Sequence, residues 1–236
     1  MIEVNIKNKD DFFLNEAIKT LRTNIGFCGE DIKTIAITST LPNEGKSKIS
    51  LDLALSFAEL GGKTLLIDAD NRNSVLQGRL CIQDDLPGLT NLLINKDYSL
   101  SSVINATNIH DFYMLLAGPA APNPTELLSG KNFLALMEVL KKNFDYIIID
   151  CPPIGPVIDA AIIAKECDGV LLVIEQGRIK KRYVKKAKDQ LSMSGAKILG
   201  AVLNKTKTGS SEYGYGKKYG YGYGYGNSRH VQRAKN

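Results

Sequence analysis

At 236 residues, 44% apolar and 23% charged, the chain has the makeup of a globular protein long enough for a sizeable core. No apolar run approaches the ~20 residues of a membrane-spanning helix, and the polar, acidic start MIEVNIKNKDDFF is no secretory signal. The net charge of +5 is unevenly placed: from Lys205 onward there are seven Lys/Arg against one acid, which leaves residues 1–204 with 23 basic and 24 acidic side chains. A body so near neutrality, without aromatic–basic interleaving, argues against nucleic acid as the partner. Four cysteines (Cys28, Cys81, Cys151, Cys167) contain no C-x-x-C pair, which points to reduced thiols rather than a disulfide frame or a zinc site. The two histidines, His110 and His230, have no second ligand near them in sequence, so no transition-metal centre is expected.

In chain order, Asp10 or Asp11 caps a first helix over about 11–25, with Phe13, Ala17, Leu21 and Ile25 as its apolar stripe. Strands and helices then alternate. Strands are predicted at 33–38 (KTIAIT), 63–67 (KTLLI), 112–116, 146–149 (YIII), 169–174 (GVLLVI) and 198–203 (ILGAVL). Helices are predicted at 46–60, 88–94, 99–105, 132–142, 157–164 and 180–191. Nearly continuous apolar strands, each followed by a helix, imply an α/β fold with a mostly parallel sheet covered on both faces. Ligands of such folds gather at the carboxyl ends of the strands.

The unusual residues fall at those ends. Thr38-Ser-Thr-Leu-Pro-Asn-Glu-Gly-Lys-Ser47 joins a strand to a helix and matches G-x-x-x-x-G-K-[ST], except that Thr40 stands where the first glycine belongs. Successive backbone N–H groups and the helix N-terminus can wrap a polyphosphate. Lys46 would neutralise β/γ oxygens and Ser47 would reach Mg²⁺. Asp68 and Asp70 close the second strand and Asp150 closes YIIID. A buried, unpaired carboxylate is costly, so three of them on two strands beside a phosphate loop call for a cation. Asn204, ending the last strand, could meet a base edge.

Two basic or aromatic runs stand apart. Arg178–Lys188 (RIKKRYVKKAK) holds seven cations in eleven residues, a solvated helix face or a footprint for an acidic partner. Glu212 to Gly226 reads EYGYGKKYGYGYGYG and holds Tyr213, Tyr215, Tyr219, Tyr221, Tyr223 and Tyr225, six of the ten tyrosines. Rings separated by Gly or Lys have nothing to pack against. Exposed phenols in series look like a substrate.

Together these residues resemble the bacterial tyrosine kinases of capsule and exopolysaccharide systems. The likeness spans EAIKTLRTNI, TSTLPNEGKS, LIDADNR, GLTNLL, LAGPAAPNPTELL, DYIIIDCPP, DGVLLVIEQG and the tyrosine run. It implies a P-loop kinase domain over 1–204, a flexible tail over 205–236, and the cofactors ATP and Mg²⁺. Nucleotide contacts would come from Asn43, Glu44, Gly45, Lys46, Ser47, Lys48 and Asn204. Ser47, Asp68, Asp70 and Asp150 would form the magnesium site. Lys46 and the three aspartates would be catalytic, with Asp68 the candidate for taking the tyrosine proton. Glu16 and Arg22 match the family's E-x-x-R-x-x-R ring-forming helix, where Lys19 replaces the first arginine and loses its bidentate geometry. The six tail tyrosines would accept phosphate, on a neighbouring subunit. The resemblance further implies a split type without its own membrane segment, working in the cytoplasm and drawn to the inner face of the plasma membrane by a membrane-anchored activator of polysaccharide co-polymerase type. A cognate tyrosine phosphatase would reset it. Two rival readings are a partition- or division-site-type ATPase switch, which usually carries a second lysine in the loop, and a non-catalytic regulatory subunit of an export assembly.

Overall fold

The computed structural model describes residues 4–6, 11–82, 86–95 and 97–206. The six tail tyrosines therefore lie outside the described residues. The elements in order are α1 (Phe12–Phe27), β1 (Thr34–Ser39), α2 (Lys46–Ala58), β2 (Thr64–Asp68), α3 (Leu76–Arg79), α4 (Leu89–Ile94), α5 (Leu100–Val103), β3 (Ile104–Ala106), β4 (Phe112–Leu115), α6 (Pro124–Ser129), α7 (Lys131–Asn143), β5 (Tyr146–Asp150), α8 (Asp159–Lys165), β6 (Gly169–Glu175), α9 (Lys181–Met193) and β7 (Ile198–Asn204). The sheet runs β3-β4-β2-β5-β1-β6-β7. Its pairings are parallel, except that β3 runs antiparallel to β4. This is the α/β architecture, a mostly parallel sheet covered on both faces, that the alternating pattern implies.

Side chains of the central strands alternate between two cores, as the period of two demands. Ala36, Leu65, Ile67, Ile147, Ile149, Val170 and Leu172 face α4 and α6–α9. Ile35, Ile37, Leu66, Ile148, Leu171 and Val173 face α1 and α2. With helices on both faces, the middles of the central strands are apolar, and charged side chains appear only at the carboxyl ends, where the sheet opens.

Two expectations need correction. The buried stripe of α1 is Leu14, Ile18, Leu21 and Ile25, whereas Phe13 is 78% exposed and Ala17 is also exposed. Steps of four residues each overshoot a full turn by about 40°, so a stripe built only of fours walks off its own face, while alternating four and three stays on it. Asp11 does cap this helix, its Oδ1 accepting from Leu14 N at 3.2 Å. The helix predicted at 99–105 stops at Val103, because Ile104–Ala106 pairs with the otherwise open edge of β4. Two short helices, α3 and α6, had no periodic signal long enough to reveal them.

Candidate functional site

β1 ends at the phosphate loop. Asn43 (φ 67°) and Gly45 (φ 94°) both take left-handed backbone conformations, which turn the chain into α2. Gly45 is required twice over: by its φ, and because a Cβ there would overlap Asn204 Nδ2. Thr40 is not among the positive-φ residues, so its side chain is tolerated where the motif usually has glycine. The N-cap position of α2 carries no side-chain cap, leaving the helix N-terminus to an anion.

The ends of β2 and β5 complete the site. Asp68 and Asp150 are register partners across the two parallel strands. Lys46 Nζ lies 3.0 Å from Asp70 Oδ2 and 3.4 Å from Asp150 Oδ2, and 3.3 Å from Ser47 Oγ. The structure thus brings Lys46, Ser47, Asp68, Asp70 and Asp150 together, all of them buried. Burial and the neighbouring Asp150 push the Asp68 carboxyl up to about 7, against the pull of Ser74 and Lys46. Burial raises Asp150 as well, against Lys46, Ser47 and Ser50. Burial alone would lower Lys46, but Asp150 and Asp70 outweigh it and hold the ammonium above its ordinary value. Among the described residues, no three His, Cys, Asp or Glu side chains form a protein-only metal cage. Mg²⁺ rarely uses one; it binds through one or two carboxylates, waters and phosphate oxygens, and this donor set suits it.

Other sequence-predicted residues are placed differently. Glu44 turns its carboxylate away from the loop's concave side, accepting from Leu41 N (2.6 Å) and Glu175 N (3.0 Å), so only its backbone can face phosphate. Asn204 donates Nδ2 to Glu44 O at 2.8 Å, and Lys205 donates to Asn43 O at 2.7 Å; the end of β7 therefore braces the loop. Lys48 pairs with Asp52 (2.7 Å) on the exposed side of α2. On α1, Lys19 pairs with Glu16 at 2.9 Å in the open, whereas Arg22 is turned onto Ser56 O at the end of α2.

Several site residues carried no legible sequence signal. Ser50 donates to Asp150 Oδ1 at 3.1 Å, and Ser74 donates to Asp68 Oδ2. Arg72 donates to both Asp159 oxygens (2.7 and 3.3 Å) and to Thr125 Oγ1 (2.9 Å), while Thr125 donates to Asp159 Oδ1 at 2.7 Å. This knot ties the LIDADNR and PNPTELL segments to the start of α8. Gly155 passes so close to Thr40 O that a Cβ would overlap it. A cleft of about 500 Å³ opens beside these groups, lined among others by Asn43, Lys46, Asp70, Arg72, Pro153 and Val157. That is ample for a nucleotide. A slightly larger groove between α6, α8 and α9 is far poorer in charged chemistry, so the cleft beside Lys46 is the functional one.

Parallel sheet, phosphate loop and strand-end carboxylates define a P-loop nucleotide-binding protein, and a family model described as an AAA domain matches residues 32–182. The loop binds ATP. The tyrosine-protein kinase CpsD of Streptococcus agalactiae serotype III is 49% identical over 199 residues, covering 84% of this chain and 85% of its own. The tyrosine-protein kinase YwqD of Bacillus subtilis is 40% identical over 203 residues, 85% of each chain. The crystal structure of the chimerical protein CapA2B2 superposes with a TM-score of 0.78 at 33% identity, over 87% of this chain and 94% of that one. The chain belongs to the bacterial tyrosine-kinase family. The septum site-determining protein MinD of Pyrococcus horikoshii, a rival type, superposes less well, with a TM-score of 0.59 at 25% identity. Among the described residues, no helix is long and apolar enough to cross a membrane.

Proposed function

We propose that this chain is an ATP- and Mg²⁺-dependent autokinase that phosphorylates Tyr213, Tyr215, Tyr219, Tyr221, Tyr223 and Tyr225 of a neighbouring copy, and so regulates capsular or exopolysaccharide synthesis. The observation that carries this reading is the convergence of Lys46, Ser47 and three aspartates on one nucleotide-sized cleft, in a chain that also carries six closely spaced phenols separated only by Gly and Lys. Residues 1–204 act as the kinase domain and 205–236 as its substrate tail. Tyr213 lies nine residues beyond Asn204, a tether of up to about 30 Å.

The roles follow from the chemistry. Lys46 exchanges its carboxylate partners for β/γ-phosphate oxygens, which releases Asp70 and Asp150. Ser47 and those aspartates, with Asp68 nearby, would hold Mg²⁺, whose charge offsets that of the phosphates. Asp68, whose carboxyl burial and Asp150 raise, orients the phenol and, when ionised, takes its proton. The phenol oxygen bonds to the γ-phosphorus as the bond to the ADP oxygen breaks. Positioning and charge neutralisation supply most of the rate. Loop backbone from Asn43 to Lys48 cradles the phosphates, with Asn204 bracing it.

Each phosphotyrosine adds about −1.5 to −2 charges, so full modification reverses the sign of a tail that starts at +6. Phosphorylation would then repel the tail from the acidic site and loosen a ring built on Glu16, Lys19 and Arg22. A membrane-anchored, CapA-type activator would recruit the kinase to the inner face of the plasma membrane, and a cognate phosphatase would reset it.

Intact-mass spectrometry after incubation with Mg²⁺ and ATP tests the proposal. A ladder of about 80 Da steps mapping to Tyr213–Tyr225 and absent from Lys46→Met is the expected result. No ladder even with the activator's cytoplasmic segment present would leave a switch-type ATPase or a regulatory subunit.

A further inference from the structure

We propose that the outward face of α9 is an electrostatic docking surface for an anionic lipid bilayer, independent of any activator protein. Val184, Ala187 and Leu191 turn inward, the last two fully buried. That leaves Lys181, Arg182, Lys185, Lys186 and Lys188 exposed on the other side, preceded by exposed Arg178 and Lys180. Asp189 is the one acid on this face of α9. Only Arg178 is neutralised, by Glu175 at 2.9 Å. Among the described residues, Lys180, Lys181, Lys185, Lys186 and Lys188 have no acidic partner, in contrast to Lys48, Lys46 or Arg72 elsewhere.

The character of the face selects the occupant. An acidic peptide is recognised by pockets and spaced anchors, whereas this face spreads seven exposed cations over Arg178–Lys188 with Asp189 as the single acid of the helix; a planar anionic sheet matches so diffuse a charge better. Half-exposed Tyr183, stacked under Arg182 (4.8 Å), and Met193, 87% exposed on the last turn, are side chains suited to the headgroup layer. The run also begins at the cleft: Glu175, which holds Arg178, holds Lys205 at 3.0 Å as well, and Lys205 lines the nucleotide cavity. A bilayer on α9 would keep the mouth of the site close to the membrane surface.

Each Lys or Arg near an anionic surface contributes roughly a fivefold gain in binding, less whatever salt screens. The experiment is vesicle co-sedimentation of the full chain at about 0.1 M salt, with phosphatidylglycerol-rich or pure phosphatidylcholine vesicles. The proteins compared are wild type, Lys181→Gln/Lys185→Gln/Lys188→Gln, and Lys207→Gln/Lys217→Gln/Lys218→Gln, which removes tail cations instead. The expected result is binding to phosphatidylglycerol only, lowered at least about tenfold by the α9 substitutions and less by those in the tail, with ATP binding unchanged. Equal binding to both vesicles, no binding, or loss produced by the tail substitutions alone would overturn the proposal. So would retention of α9 on immobilised poly-glutamate without vesicle binding, which would assign the face to an acidic protein segment.

Discussion

Asp68 and Asp150 end adjacent parallel strands as register partners, so two carboxylates are held side by side in a buried site. Like charges so placed cannot both ionise freely. Asp68 yields: burial and Asp150 raise it to about 7. A base poised there can accept a phenol proton at neutral pH, and the phosphorylation rate should climb as pH rises through about 7. Asp68→Asn should lose at least about a hundredfold. Initial rates of tail phosphorylation against pH would show it, and a profile flat between pH 5 and 8 would exclude Asp68 as the base.

The same shift has a consequence for stability with the opposite sense. Between about pH 4 and 7 the native Asp68 keeps a proton that the unfolded chain has released. Stability of the nucleotide-free protein should therefore fall as pH rises across that window. Asp68→Asn should stabilise by on the order of 2 kcal/mol at pH 8 and by little near pH 4. Urea unfolding at the two pH values measures this; a destabilised Asp68→Asn at pH 8 would contradict it.

The brace between Asn204 and the phosphate loop can be separated from the loop's own geometry. Gly45→Ala should cost at least about 2 kcal/mol and abolish ATP binding, since it adds a left-handed strain and a clash with Asn204. Asn204→Ala removes one hydrogen bond to Glu44 O and should cost about 1 kcal/mol. In the double variant the steric part should be recovered while the strain remains. Full additivity of the two losses would mean the side chains do not meet.

The face of α1 makes a simpler contrast. Ile18→Ala should cost about 3 kcal/mol, because Ile18 is buried between α1 and the sheet-facing core. Phe13→Ala, at 78% exposure, should change stability by less than about 0.5 kcal/mol. Thermal unfolding of the two variants would reveal whether the helix is rotated as described.

Much of the fold was legible because its signals are local. A buried parallel strand is free of charge and mostly apolar through its middle, so TIAITS, TLLID, YIIID and GVLLVIE announce themselves, and the glycine, lysine and serine at 45–47 follow from the turn into a helix. The aspartates at strand ends were conspicuous for the same reason: a charge after an apolar run needs a purpose. Glu44 and Lys48 were less well read. Position in the loop suggested phosphate contacts, but which way a side chain points depends on neighbours such as Glu175 and Asp52, far away or one turn on.

What the sequence by itself determined, then, is the class of fold, the phosphate loop and the set of carboxylates, since each is written in residues adjacent along the chain. Tertiary structure alone decided that Asp68 stands beside Asp150, that Arg72 is tied to Asp159 and Thr125, and that Asn204 braces Gly45's loop. These depend on strand order and register, which place residues 50 to 160 positions apart within hydrogen-bonding reach. Spacing along a chain carries no record of that; only burial of both sheet faces at once selects it.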